Sequence, residues 1–295
     1  MSGRYLFVVG NGIGNQVQTV PAFLYLHKHS GHPVDVVNID GINTDITNWL
    51  YRPLADRVLL KDDVMPDQYE GQFLTLLCQC NPFPDMKVFS TDVASLSDRV
   101  SEVKLNLMAV DGEWEGFPEG LLDWIPATDA PDVLIHDGYA KNTAFVPWSV
   151  KSWPGHVEAA QRLISEGLSV GSIGSRDELV GGTEDFTGLS LRGTMSLIKG
   201  AKVLLSNDSG MYHLACAMKV PCVVVFTCTN PLKNYDTDFH YTACVQRLEL
   251  PCSPCQGKVF EPNDAWLRNR SLCLWQCRDV PVDGVVEAVV KGMDG

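Results

Sequence analysis

The sequence predicts an α/β protein of two domains, each built on a parallel sheet. Three observations carry that expectation. Short apolar strands alternate with helical stretches in both halves of the chain, the pattern of βαβ units. The chain has 295 residues, 45% of them hydrophobic, enough for a large core and more than one domain ordinarily holds. Between the two alternating series, residues 111–131 are rich in Gly, Pro, Trp and acid and show no periodicity, as an interdomain connection would. The division is therefore residues 1–125, residues 126–280 and a last helix over 281–295.

In the first half, residues 5–9 (YLFVV) form an apolar strand, and Gly10-Asn-Gly-Ile-Gly-Asn15 follows at once. Glycines there permit positive φ and close approach of a ligand to the backbone. The spacing is not G-x-G-x-x-G, so the plain alternative is a tight strand-to-helix turn with no ligand. A helix continues over 21–28, with Pro21 near its start. Strands are expected over 33–39, ending at Asp40-Gly41, and over 57–60 and 73–77. Residues 95–110 place Val100, Val103, Leu107 and Val110 on one face of an amphipathic helix.

The second half opens with a strand over 132–136. A helix over 153–166, a strand over 168–173 and a helix over 192–200 follow. Residues 201–231 (AKVLLSNDSGMYHLACAMKVPCVVVFTCTNP) then read as strand, polar turn, helix and strand. In such a unit the helix N-terminus sits at the carboxyl edge of the sheet, where unpaired N–H groups and the helix dipole favour an anion. A phosphate is the expected guest. Residues 281–293 form the last helix, with Pro281 tolerated in its first turn.

The net charge of −13 and a pI near 4.9 argue against bulk nucleic acid or anionic membrane as partner, leaving room for a local basic patch. The start of the chain runs straight into a strand, and no apolar run is long enough to cross a bilayer. The expectation is a cytoplasmic protein without signal peptide or transmembrane segment. Of the ten cysteines, Cys216, Cys222 and Cys244 sit among apolar residues as reduced, buried small hydrophobes. Cys252-x-x-Cys255 and Cys273-x-x-x-Cys277 are compatible with a structural zinc site, and equally with reduced cysteines or disulfides.

The turn in 201–231 carries a recognisable pattern. Asp208, Ser209, Gly210, His213, Leu214, Ala215, Ala217, Pro221, Phe226, Thr229 and Pro231 resemble the motif of glycosyltransferase family 9, the heptosyltransferase-like enzymes. Residues 12–21 (GIGNQVQTVP) are similar to the family's amino-terminal turn, 101–107 (SEVKLNL) to its H-E-V-x-x-N-L helix, and 150–154 (VKSWP) to its K-x-W-P segment. The Pro251-Cys-Ser-Pro-Cys255 segment and the later Cys273 and Cys277 also have counterparts.

That resemblance implies a GT-B fold, two facing Rossmann-like domains. The second would hold a nucleotide-diphosphate sugar as donor, and the first a hydroxyl acceptor on a glycolipid, polysaccharide or other polymer. It implies inverting transfer with no cofactor and no metal at the diphosphate, so that a helix N-terminus and a cation must supply the positive potential. Ser209 and Gly210 would present N–H groups and a hydroxyl to the phosphates, with Asp208 capping the turn or holding a ribose hydroxyl. His213, one turn on, shares a face with Ser209. Lys151 would bring a second charge from a facing loop, and Thr229 would touch the donor. The plain readings are a core histidine, a surface lysine and an ordinary turn.

Gly12 and Gly14 would form the acceptor-side loop. The family's catalytic Asp corresponds to Asn15, and an amide is no base; Asn15 would orient the acceptor instead. Asp40, at a strand end, is the first substitute, with Asp35 and Asp45 as alternatives. Two other functions stay open, a nucleotide-sugar-binding protein without turnover and a transferase acting on a modified nucleic-acid base.

Overall fold

The computed structural model describes residues 3–10, 12–75, 81–93, 96, 100–139, 148–239, 242–246 and 276–294. The chain divides into two compact units, Met1–Trp124 and Ile125–Gly295.

The first unit is a four-stranded parallel sheet in the order β3-β2-β1-β4. Its strands are β1 (Arg4–Val9), β2 (Val34–Asn38), β3 (Val58–Leu60) and β4 (Tyr69–Leu74). The central strands are apolar runs because both faces are covered: Leu6, Phe7, Val8 and Val9 are all buried, and β2 is buried along its length. The helices are α1 (Ile13–His29), α2 (Thr44–Tyr51) and α3 (Glu102–Ala109). Phe23 of α1 meets Phe7 and Tyr51 edge to face, at ring centroid separations of 5.5 and 5.4 Å.

Three elements differ from expectation: β4 begins at Tyr69, four residues before the start of the strand expected over 73–77, and two helices are shifted. The first helix begins at Ile13, so Gly12 is its N-cap, Gly14 and Asn15 lie in its first turn, and Pro21 is inside it. A proline at that place forfeits one backbone bond, and the burial of Val17, Val20 and Phe23 around it holds the helix together. The helix expected over 95–110 starts only at Glu102, because Ser101 caps it by accepting Lys104 N–H at 3.3 Å. Val103, Leu105, Leu107 and Ala109 are all buried, so most of its circumference is covered rather than one stripe.

Asp35 sits fully buried near the amino-terminal start of β2. Arg4 donates to both of its oxygens (2.9 and 2.6 Å), and Arg57 donates twice to Oδ2 (2.9 and 2.6 Å), as does the Tyr69 hydroxyl once (2.9 Å). Burial pushes this carboxyl up, yet the bonds from Arg4, Arg57 and Tyr69 outweigh it and hold it below its ordinary value. Its place at the amino edge of the sheet and its two arginines remove Asp35 from the alternatives for a base.

The second unit is a six-stranded parallel sheet in the order β10-β9-β8-β5-β6-β7. The strands are β5 (Val133–His136), β6 (Val170–Ser172), β7 (Glu184–Asp185), β8 (Val203–Asn207), β9 (Cys222–Phe226) and β10 (Thr242–Gln246). Its helices are α4 (His156–Ser165), α5 (Leu191–Gly200), α6 (Gly210–Ala217), the short α7 (Pro231–Asn234) and α8 (Val282–Met293). Val133, Ile135, Trp153, Leu163, Val203, Leu205, Val223, Val225, Val285 and Val289 form one core.

Helix α4 starts three residues later than expected, with Gly155 as N-cap, and Pro281 is the N-cap of α8 rather than part of its first turn. Among the described residues no helix is long and apolar enough to cross a membrane.

The strand order reverses direction within the second sheet. From β5 the chain runs to β6 and β7 on one side, and afterwards to β8, β9 and β10 on the other. The order reverses between β5 and β8, and in open parallel sheets ligands bind beyond the carboxyl ends of the strands at that point.

The Asp35 cluster yields the first prediction. Asp35→Asn leaves two arginines without their carboxylate and is expected to cost about 2–3 kcal/mol, read from the urea midpoint at pH 7. Because the folded pKa is lowered, the contribution is complete above the ordinary aspartate value of about 3.9 and fades as the pH falls through the folded value. The gap between the two proteins should close in acid; a gap that persists there contradicts the charge argument.

Candidate functional site

The reversal point in the second unit is lined by the ends of β5 and β8. β5 ends at His136, followed by Asp137; β8 ends at Ser206-Asn207, followed by Asp208-Ser209 and the first turn of α6. Ser206 pairs in register with His136 across the two strands. Ser209 is the N-cap of α6 with extended backbone (φ −148°, ψ 169°), and its side chain makes no capping bond. The first N–H groups of the helix therefore point beyond the sheet edge.

Asn207 is buried and joins three segments. Its Nδ2 donates to Asp137 Oδ1 (2.9 Å), and its Oδ1 accepts from Trp153 N–H (3.3 Å), just ahead of α4. Trp153 is anchored in turn by its indole N–H on the Val280 carbonyl (3.0 Å). His156 Nδ1 stands 3.2 Å from Asp137 Oδ1. Burial pushes the Asp137 carboxyl up, but His156, Asn207 and Ser152 together hold it below the usual aspartate range.

Lys151 ends a short 3₁₀ turn, Trp148–Lys151, within the same unit. Its ammonium donates to the Asp208 carbonyl (3.1 Å) and pairs with Asp208 Oδ2 (3.0 Å), which also accepts from Asn234 Nδ2 (3.2 Å). The lysine is thus fixed beside the N-terminus of α6, and Asp208 anchors it rather than capping the helix. The Val150 carbonyl accepts from Thr227 Oγ1 (2.7 Å), tying the lysine turn to the loop after β9. His213, buried in α6, lies against the Tyr212 ring at 3.9 Å between centroids, and Thr229 is buried after β9.

A second group gathers at Ser209. Its Oγ lies 3.0 Å from His136 Nδ1 and 3.2 Å from Ser206 Oγ, and His136 Nε2 lies 3.8 Å from Glu178 Oε2. Two glycines make the room. A Cβ on Gly138 would stand 2.3 Å from His136 Nε2, and one on Gly174, at φ +122°, would stand 2.2 Å from Glu178 Oε2.

In the first unit, Gly12 is exposed, Gly14 buried and Asn15 half-buried at the start of α1. Asp40 is exposed beyond the end of β2, where its Oδ1 accepts from Ile42 N–H (2.9 Å). Its Oδ2 lies 3.2 Å from where a Cβ on Gly10 would be, which puts the carboxylate over the end of β1. Beneath this loop, Asn38 donates to the Ile42 carbonyl (2.9 Å) and to Thr47 Oγ1 (2.7 Å), and Thr47 donates to Gln16 Oε1 (2.7 Å). The Asp40 loop and the first turn of α1 are therefore one bonded unit.

Sequence reasoning missed His136, Asp137, Asn207 and Glu178. The signal for the first two was a polar pair, His136-Asp137, at the abrupt end of an apolar run. Cys252, Cys255 and Cys273 lie outside the described residues, while Cys277 is buried beside Cys228 and Val150. Among the described residues, no group of three or more His, Cys, Asp or Glu is arranged to hold a metal ion.

Residues 140–263 match the family model of glycosyltransferase family 9 (heptosyltransferase). The lipopolysaccharide heptosyltransferase 1 of Pseudomonas aeruginosa is 30% identical over 131 residues, which is 40% of this chain and 36% of that relative. The match thus spans about a third of the curated relative's length. Among solved structures, the E. coli heptosyltransferase WaaC with ADP is similar at a TM-score of 0.57 and 15% identity, over 82% of this chain and 93% of that one. The iron-containing dodecameric glycosyltransferase TibC of enterotoxigenic E. coli is similar at 0.68 and 15% identity, over 99% and 76%. The structural likeness shows a shared GT-B fold, and over residues 140–263 the chain is similar to the heptosyltransferases of glycosyltransferase family 9.

Proposed function

We propose that this chain is an inverting glycosyltransferase that moves a sugar from a nucleoside-diphosphate donor to a hydroxyl acceptor on a glycolipid, polysaccharide or other polymer, with no metal ion at the diphosphate. The observation that carries this reading is the cation fixed at a helix N-terminus. Lys151 is bonded to Asp208 one residue ahead of the Ser209 cap of α6, at the reversal point of the sheet. A diphosphate leaving group gathers negative charge as the bond to the sugar breaks. Aligned N–H groups and an ammonium stabilise that charge more in the transition state than before it. The ADP in the solved structure of WaaC supports a nucleoside diphosphate as the ligand class.

His213, one turn into α6, is assigned to the donor side with Ser209, Gly210 and Thr229. The acceptor is assigned to the first unit, where Asn15 orients the hydroxyl and Asp40 takes its proton. Asp40 is exposed to solvent and held in place by its bond from Ile42. We assign the protein to the cytoplasm, a compartment that keeps thiols reduced; in support, Cys216, Cys222, Cys228 and Cys277 are buried thiols. The amide at Asn15 favours a second reading, in which the protein binds a nucleotide sugar without turning it over.

Two experiments test these readings. Calorimetry with ADP, GDP and UDP in the presence of EDTA should show binding of one of them, weakened at least tenfold in Asp208→Ala and in His213→Ala. Unchanged affinity in both variants, or binding that EDTA abolishes, contradicts the donor site. With the donor so identified and an acceptor that supports turnover, Asp40→Asn should lower kcat by about 10²–10⁴ while donor affinity stays within twofold. Wild-type turnover in that variant removes Asp40 as the base, and donor binding with no transfer or donor hydrolysis in the unmodified chain selects the second reading.

A further inference from the structure

The hydrogens around Ser209 can be counted. Ser206 Oγ lies 2.8 Å from the Asn207 carbonyl, which only accepts, and 3.4 Å from His136 Nδ1; the shorter contact takes the Ser206 hydrogen, and Ser209 Oγ is the nearer neighbour of Nδ1. Toward Ser209 Oγ, at 3.2 Å, Ser206 presents only lone pairs. The other neighbour of Ser209 Oγ is His136 Nδ1 at 3.0 Å, and the ring's far nitrogen faces Glu178. A neutral imidazole with its hydrogen on Nε2, toward Glu178, has a lone pair at Nδ1 and takes the Ser209 hydrogen. The hydroxyl then offers only lone pairs to a phosphate. An imidazolium instead donates from Nδ1 to Ser209 Oγ and leaves that hydrogen for an oxygen beyond the helix end.

From this geometry we propose that His136 is a positioning residue for the donor diphosphate. It takes up a proton at Nδ1 as the diphosphate binds, which turns the Ser209 hydroxyl into a donor to a phosphate oxygen. The inference rests on the donor reading above. Among the described residues, Glu178 is a charged group facing the ring, from the turn packed against it at 3.8 Å, and its Oε2 is held by Ser175 N–H at 2.8 Å. The neighbouring acids face elsewhere, Asp137 toward Asn207 and His156, and Asp208 toward Lys151 and Asn234. His136 and Glu178 are both nearly buried, so a charge on the ring is screened little by solvent and is stabilised by both the carboxylate and the incoming phosphate. The overlap of any Cβ at Gly138 or Gly174 with these two side chains explains why the cradle is built around glycine.

The test is calorimetry of ADP binding to the full chain between pH 5 and pH 8, in buffer pairs of different ionisation enthalpy. GDP or UDP replaces ADP if it is the one that binds. The unmodified protein is expected to take up more protons per ligand at pH 8 than His136→Asn, by an amount approaching one. Protons exchanged by the nucleotide itself are common to both proteins and cancel. Asn places an amide N–H where Nδ1–H lies, so His136→Asn should bind within about threefold of the unmodified chain with a flatter pH profile, whereas His136→Leu should lose about tenfold. Equal proton uptake in the unmodified and Asn proteins, or full affinity in His136→Leu, overturns the proposal and leaves the donor reading intact. Failure of all three diphosphates to bind the unmodified chain overturns the donor reading and this proposal with it.

Discussion

The buried carboxamide of Asn207 is the joint on which the second unit depends. It lies at the end of β8 out of reach of solvent, so its donors and acceptor must be met by protein or be lost at a cost of about 1–3 kcal/mol. One N–H is met by Asp137, beyond the end of β5, and the oxygen by the backbone N–H of Trp153, just ahead of α4. One side chain thereby sets the spacing of the two strand ends between which the sheet order reverses. Lys151 lies two residues before Trp153, and Asp208 and Ser209 follow Asn207 directly, so the same joint sets the cation and the helix N-terminus in one place. Trp153 adds rigidity through its bond to Val280 and its place in the core.

For the proposed donor site, that arrangement answers an electrostatic problem. A chain with a net charge of −13 repels anions at long range, so affinity for a diphosphate must come from a local inversion of the field. The N-terminus of α6 supplies fixed partial charge, and Lys151 supplies a full one. Asp208 holds the lysine through both its carbonyl and its carboxylate, which limits the side-chain entropy lost when a ligand arrives. The carboxylates near the turn are each occupied: Asp208 with Lys151 and Asn234, Asp137 with Asn207 and His156, and Glu178 with the Ser175 N–H beside His136.

Much of this was legible in the sequence where its signals are local. The β8–turn–α6 unit has a β-branched run, a cluster of cap residues and helical spacing within a few residues of one another, and the structure forms it almost where expected. What was hidden depends on contacts distant in sequence. His136 and Glu178 meet only because β5, β6 and β8 are neighbours in the sheet, and Asp35 finds Arg4 and Arg57 because β1, β2 and β3 lie side by side. Pro21 misled in the opposite sense, since its local preference for a helix start yielded to the buried faces of Val17, Val20 and Phe23. The short α3 follows from Ser101, whose capping bond outweighs the apolar spacing upstream.

The central claim is that the end of β8 and the start of α6 form a diphosphate site with Lys151. The most direct measurement is a crystal structure of the chain soaked with the nucleoside diphosphate that binds it in solution. Pyrophosphate density within hydrogen-bond distance of the Ser209 and Gly210 N–H groups and of the Lys151 ammonium is the predicted result. A pyrophosphate ordered elsewhere, against the Gly12–Asn15 turn of the first unit for instance, with the start of α6 unoccupied, would contradict it.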